Sequence, residues 1–367
     1  MRLKKGPPDF VLFITTLALV GIGLVMVFSS SAVTSNVWYG DAYYFFKKQL
    51  QWAIISIIVM IVVMKLNYLR LKELAIPLAV ISLLCLVLVI SPLGHAAKGS
   101  SRWLGLGPLG GFAPSEMMKV ALVLFLAKSM EINIDKIKSF KLGVLPYLVL
   151  LAIVDGLIML QPDLGTSVAV AGTVFFLLVV AGAQWSHLGL IFLSGLGAIG
   201  AAIAVAPYRL ERVLAFLNPW KYANDEGFQI IQSLYALGSG GLFGMGLGRS
   251  RQKFFYLPEQ HTDFIFAILG EELGFIGAFV VLALFLLFAW RGYKIAINAP
   301  DNFGSLLAAG LTTMVVLQAS INIGVVSGVL PVTGITLPFI SYGGSSLLFS
   351  MIGVGLLLNV SRYSTYR

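Results

Sequence analysis

The segment FIFAILGEELGFIGAFVVLALFLLFAW, residues 264–290, is a run of 27 residues whose only charges are Glu271 and Glu272. About 20 residues of helix cross the roughly 30 Å hydrocarbon core of a bilayer, so this segment spans it with length to spare. Working outward, runs of the same character lie at Phe10 to Phe28, Leu50 to Met64, Leu74 to Ile90, Ser115 to Ala127, Leu142 to Leu160, Leu164 to Ala183, Leu188 to Ala206, Phe303 to Val326 and Ser345 to Val360. Together they make ten. The expected fold is all-α: a polytopic integral membrane protein of about ten transmembrane helices, one domain over residues 1–367 with a long outer loop at 207–262.

Composition agrees. The chain is 58% apolar and 11% charged, with mean hydropathy +0.93, whereas a soluble domain carries about 25% charged residues. The first run follows Met-Arg-Leu-Lys-Lys and ends in Ser29-Ser30-Ser31 with Ala32 next, which also fits a signal peptide; its length and the runs that follow favour a span. The single cysteine, Cys85, allows no internal disulfide and no thiolate metal site. His95, His187 and His261 are too scattered to suggest a metal centre.

Placing the N-terminus in the cytoplasm collects fourteen of the 25 basic residues in short cytoplasmic segments, as the positive-inside rule requires. An even number of spans returns the C-terminus to the same side. The outer loop, Pro207 to Thr262, is far longer than the other connections and holds Arg209, Arg212, Lys221, Arg249, Arg251 and Lys253. Long loops are functional or disordered, and the aromatic content here argues for a folded one. Phe228, Ile231, Leu234 and Tyr235 recur at helical spacing, which predicts a short interfacial helix.

Several polar clusters face the outer side. Asp263 ends the segment Pro258-Glu259-Gln260-His261-Thr262-Asp263 and stands just before the eighth run, where an acid is either a helix N-cap or a general base. Arg102 and Trp103 precede Pro114-Ser115-Glu116-Met117-Met118-Lys119; Glu116 and Lys119 share a helix face, as a self-neutralising pair or as a source of positive charge for a phosphate. Gln161-Pro162-Asp163 is either a tight turn between helices or part of the wall of the same outer cavity. The glycines from Gly238 to Gly248 lack the strand and lysine of a nucleotide loop and read as packing or a hinge. Residues 331–346 form another outer loop, rich in hydroxyls and glycine.

These stretches resemble the SEDS family of shape, elongation, division and sporulation proteins, represented by FtsW, RodA and SpoVE. The matching segments are PDFVLFITTLALVGIGLVMVFSSSAV, SRWLGLG, PSEMMK, QPDLGTS, NPW, GFQIIQSLYALGSGGLFGMGLG, RQKFFYLPEQHTDFIFAILGEELGFIG, PVTGITLPFISYGGSS and LLLNVSRYS, which run from residue 8 to 364. Ala299-Pro300-Asp301 and the NVSRYS end resemble the FtsW and SpoVE division and sporulation branch more than RodA. The resemblance implies a peptidoglycan glycosyltransferase that polymerises lipid II on the outer face of the bacterial cytoplasmic membrane, at the division or sporulation septum. It implies Asp263 as the catalytic group, with functional positions at Arg102, Trp103, Ser115, Glu116, Lys119, Gln161, Asp163 and Glu259; His261, in the same segment as Asp263, is a further substrate-binding candidate. It also implies a class B penicillin-binding protein as partner, with other divisome or sporulation membrane proteins and no nucleic acid.

On that reading Asp263 deprotonates the acceptor sugar, while Arg102, Lys119, Arg209 and Arg212 stabilise the leaving pyrophosphate. A divalent cation is compatible with this work, and the sequence shows no dedicated site for one. Two other classes remain. A lipid II flippase would use the intramembrane acids Asp155, Glu271 and Glu272 along a transit path. A non-catalytic scaffold would only recruit the transpeptidase.

Overall fold

The computed structural model describes residues 5–92, 94–97, 100–105 and 111–364. Of the cations assigned to the cytoplasm, Arg2, Lys4 and Arg367 lie outside that set, as does Lys98 on the outer side. The helices are α1 (Phe10–Tyr39), α2 (Tyr44–Lys65), α3 (Tyr68–Ile90), α4 (Pro114–Ile132), α5 (Leu145–Met159), α6 (Leu164–Val180), α7 (Trp185–Val205), α8 (Pro207–Leu217), α9 (Phe228–Gly240), α10 (Ile265–Ile297), α11 (Asn302–Val326) and α12 (Gly344–Ser361). Each of the ten apolar runs falls on one of these helices. Among the described residues eight helical segments are long and apolar enough to cross a membrane, while Leu164–Val180 is apolar but shorter. The remaining run is α4, which carries Glu116, Lys119, Lys128 and Glu131.

Helix α1 extends well past Phe28, through the serines. Buried Ser30 and Ser31 donate their hydroxyls back to the carbonyls of Met26 (2.7 Å) and Val27 (2.6 Å), so the helix continues without unsatisfied polar groups. An antiparallel hairpin was not foreseen: β1 (Gly94–Ala97) pairs with β2 (Ser100–Gly105), and β2 with β3 (Gly111–Phe112).

The centre is α11 with α12, whose apolar windows are 72% and 67% buried, against 6% for α7, which lies at the rim. Packing pairs α12 with α2, α10 with α11 and α9, and α4 with α3 and α11. The two ends of the chain meet. Gly6 donates its N–H to the Arg362 carbonyl at 2.7 Å, Asp9 its N–H to the Ser361 hydroxyl at 3.0 Å, and Arg291 pairs with the Asp9 carboxylate. The hairpin, α8, α9 and the 331–343 loop gather at the other end, around the cavity described below.

The long outer connection is folded. It contains α8, a short 3-10 turn at Pro219–Tyr222 and α9, then turns back to Asp263. The interfacial helix exists, but its buried face is Ile230, Ile231, Ser233, Ala236 and Gly240; Leu234 and Tyr235 point outward. The reason is local: Ser233 donates to the Val326 carbonyl at 2.6 Å, and Gly240 lets α9 touch the backbone of α10, since a Cβ there would lie 2.0 Å from the Gly270 carbonyl oxygen. The glycine-rich stretch is thus a packing device. Gly244, at φ +79, is equally close to the Glu272 carbonyl.

Candidate active site

The segment carrying Asp263 is fixed from beneath by α10. Glu271 accepts from the Ser250 hydroxyl and from the N–H groups of Arg251 (2.9 Å) and Gln252 (3.4 Å). Glu272 accepts from the Ser29 hydroxyl of α1 (2.6 Å), the Ser250 N–H (3.3 Å) and the Lys253 ammonium (3.1 Å). Both carboxylates are buried, and each of these partners is a donor, the arrangement that makes burying a charge tolerable. Helix α10 breaks at Gly274, whose φ is +66, and there the 241–246 backbone takes over: Met245 and Gly246 donate to the carbonyls of Glu271 and Glu272. These acids clamp the outer loop onto the bundle.

From that anchor the chain runs through Glu259, a non-glycine residue at φ +55, whose carbonyl accepts from the N–H groups of Thr262 (3.1 Å) and Phe264 (3.2 Å). Such backbone is costly and is held by its surroundings. Here the Thr262 hydroxyl ties the Glu259 carboxylate at 2.8 Å. The Thr262 carbonyl accepts from Ser341 (2.6 Å) and the Asp263 carbonyl from the Asn322 amide (2.7 Å). The N-cap position of α10 is Phe264, with no side-chain cap bond, and Asp263 stands one residue before it. Caps are supplied elsewhere by Asp9, Asp163 and Asp301.

Asp263 and Glu259 open into a cavity of about 870 Å³. Its walls also carry Arg102, Trp103, Ser115, Glu116, Lys119, Asp163 and Arg212. Three of the expected residues are placed otherwise. Gln161 is buried, and its carbonyl accepts from Arg102 at 3.2 Å. Arg209 turns back to the Tyr208 hydroxyl and the Ala202 carbonyl. His261 is buried against Phe45 and Tyr342, with ring centroids at 4.7 and 5.7 Å.

Arg102 reaches from β2 to the α5–α6 turn, donating to the Pro162 carbonyl at 2.6 Å and lying 3.5 Å from the Asp163 carboxylate. Asp163 in turn accepts from the N–H and hydroxyl of Thr166, at 3.0 and 2.9 Å, capping α6. The turn and the cavity wall are therefore one feature. Lys119 is nearly buried, and its ammonium is shared between Glu116 (2.9 Å) and the Gln318 side-chain oxygen (2.6 Å). Ser345 bonds the Ala113 N–H at 3.2 Å, joining the start of α4 to the start of α12.

Sequence reasoning missed Lys48, Trp52 and Gln318 in these walls and Asn322 beside them, while Thr336 and Tyr342, which also line the cavity, belong to the 331–346 loop singled out above. Gln318 and Asn322 stand one helical turn apart in a helix without a charged residue, a signal that a screen for ionisable groups alone passes over. Burial pushes the Tyr342 hydroxyl up to about 12, with Tyr44 and Tyr39 adding to the shift. Lys48, Arg102, Lys119 and Arg212 bring four cations to the cavity wall, Arg102 and Lys119 beside the carboxylates of Asp163 and Glu116, and Asp263 and Glu259 add two further carboxylates. Among the described residues no group of three or more His, Cys, Asp or Glu is placed to hold a metal ion.

Apolar helices packed into a bundle, with one end shaped into a charged cavity, define a multi-pass membrane protein. The chain belongs to the cell cycle protein family of FtsW, RodA and SpoVE, whose pattern matches residues 10–366. It is 50% identical to stage V sporulation protein E of Bacillus subtilis over the full length of both chains. It is 44% identical to the probable peptidoglycan glycosyltransferase FtsW of Geobacter metallireducens, covering 96% of this chain and 94% of that one. Among solved structures, one described as "Structural coordination of polymerization and crosslinking by a peptidoglycan synthase complex" superposes with TM-score 0.81 at 34% identity, over 98% of this chain and 99% of that one. Thermus thermophilus rod shape determining protein RodA superposes with TM-score 0.73 at 31% identity, over 98% of each.

Proposed function

We propose that this chain is a peptidoglycan glycosyltransferase that polymerises lipid II at the outer face of the bacterial cytoplasmic membrane, in septal or spore-wall synthesis. The observation that carries the reading is the cavity itself, which gathers the Asp263 and Glu259 carboxylates in one chamber with Lys48, Arg102, Lys119 and Arg212. The relationship to chains named peptidoglycan glycosyltransferase supports it.

In this mechanism Asp263 accepts the proton of the acceptor sugar's 4-hydroxyl. That oxygen bonds to the donor's anomeric carbon with inversion as the bond to the phosphate oxygen breaks. Polyprenyl pyrophosphate departs with the electron pair, and its charge is met by fixed cations, the preorganised electrostatics that dominate many such reactions. Arg209 has no part in this version, because it turns to Tyr208 and Ala202 and does not reach the cavity wall. Lys48 takes its place.

The crosslinking named for the related synthase complex supports a transpeptidase of the class B penicillin-binding type as partner. The test is polymerisation of lipid II by the purified chain, with and without that partner. Asp263→Asn, which keeps shape and removes the base, is expected to cut the rate by about 10²- to 10⁴-fold. Normal glycan chains from the folded variant would remove Asp263 from the mechanism. A flippase reading loses most of its support, since Glu271 and Glu272 are engaged by residues 250–253 instead of lining a path. A silent assay with both proteins present would leave the scaffold reading.

A further inference from the structure

A second cavity of about 690 Å³ lies beside the first, beneath α8, and shares Arg212 and Gln229 with it. Pro258 lines the second and its neighbour Glu259 the first, so the two chambers adjoin at the segment leading to Asp263. Between them Arg212 and Glu226 form an ion pair at 3.1 Å.

The chambers differ in chemistry. The first balances four cations against the four carboxylates of Glu116, Asp163, Glu259 and Asp263, and so offers fixed positive charge to a pyrophosphate. The second has Arg212 as its only cation among the described residues, and carries the carboxylates of Glu211, Asp225 and Glu226, the Asn224 amide, and the rings of Tyr222 and Phe228. Carboxylates and amides accept hydrogen bonds from hydroxyls, aromatic rings cover the apolar faces of pyranoses, and an excess of acid repels phosphate. Its volume is that of a small-molecule site.

The wall is also shaped by the fold. The Tyr222 carbonyl accepts from the N–H groups of Asp225 (3.1 Å) and Gly227 (3.0 Å), and a Cβ on Gly227 would lie 2.4 Å from the Pro219 carbonyl oxygen. Only glycine fits there, so the turn presenting Tyr222, Asn224 and Asp225 has a fixed course.

We infer that this second cavity is a subsite for the uncharged sugar units of the growing glycan, one step removed from the pyrophosphate. The inference rests on the glycosyltransferase reading and extends it from bond formation to retention of the product. A chain held there between additions stays on the enzyme, so contacts in this chamber set strand length.

The experiment uses the full chain with its transpeptidase partner and two variants of the chamber, Tyr222→Ala and the isosteric Asp225→Asn. Two quantities are read: glycan strand length from lipid II, and binding of tetra-N-acetylchitotetraose by saturation-transfer NMR. Losing one hydrogen bond or one ring contact is expected to weaken oligosaccharide binding by about tenfold, and strands shorten in both variants. Asp263→Asn serves as the control. It is expected to stop polymerisation while retaining chitotetraose binding, so failure of the catalytic assignment and failure of the subsite give different results. Wild-type strand lengths in both variants, or chitotetraose binding that is absent or unchanged by them, would overturn the subsite.

Discussion

Replacing Lys253 with methionine leaves the Glu272 carboxylate buried, with the Ser29 hydroxyl and the Ser250 N–H but without its counter-charge. The two side chains are 6% and 0% exposed, so solvent screens the pair little. Breaking one partner of a buried pair costs about 3–5 kcal/mol, and the two remaining donors place this case at the lower end, near 3. For a chain of this length, with unfolding entropy of about 2.1 cal/mol/K per residue, that corresponds to a fall of roughly 4 °C in midpoint. Glu272→Gln keeps the hydrogen-bonding shape and strands the ammonium instead, with a similar cost. The double variant removes both charges and is expected to recover about 2 kcal/mol relative to the sum of the single variants. Thermal unfolding in detergent, followed by tryptophan fluorescence, reads all four proteins. Additive shifts, or single variants within about 1 °C of wild type, would refute the clamp as a coupled unit.

The remaining predictions concern the cavity and its frame. Gln318→Leu removes the second acceptor from the buried Lys119 ammonium; a loss of about 1–3 kcal/mol in stability and a lower polymerisation rate are expected, read by unfolding and by lipid II turnover. Gly240→Ala drives a methyl into the Gly270 carbonyl and is expected to pry α9 from α10, seen as faster proteolysis of the outer loop in the folded protein. Tyr342, raised to about 12 in the fold from about 10 when unfolded, stabilises fully below pH 10 and loses that contribution as pH rises through 12. Ultraviolet titration of wild type against Tyr342→Phe checks this: the missing tyrosinate signal lies at the alkaline end of the curve.

The spans were legible because hydrocarbon is an unforgiving solvent, and all ten apolar runs are helical. Their ends were less so. Helix α1 runs to Tyr39, since serine hydroxyls can bond back to the helix carbonyls, and α2 starts at Tyr44 because tyrosine and lysine suit a helix end near the interface. The small sheet of β1, β2 and β3 was invisible, its strands being too short and too rich in glycine for a period of two to register. Most of the candidate site could be read, because ionisable residues are rare in such a sequence and stand out. Its uncharged members could not. Gln318 and Asn322 earn their places through partners on other elements, Lys119 and the carbonyls of Asp263 and Ile335, and nothing in their own neighbourhood announces those partners. The opposite failure is Arg209, one turn before Arg212 yet directed to Ala202 and Tyr208. Side-chain direction, and not helical phase, separates two cations that share a helix face.

The contact between the two ends of the chain bears on assembly. Asp9 meets Ser361 across 352 positions of sequence, and α2 finds its main neighbour in α12. The helices inserted first therefore complete their packing last. Until α12 arrives, α2 rests against lipid on the face that later holds it, and the inner end of α1 is closed only by Arg291. Such long-range closure folds slowly, and a bundle arrested before that step offers membrane proteases an unpaired helix to recognise.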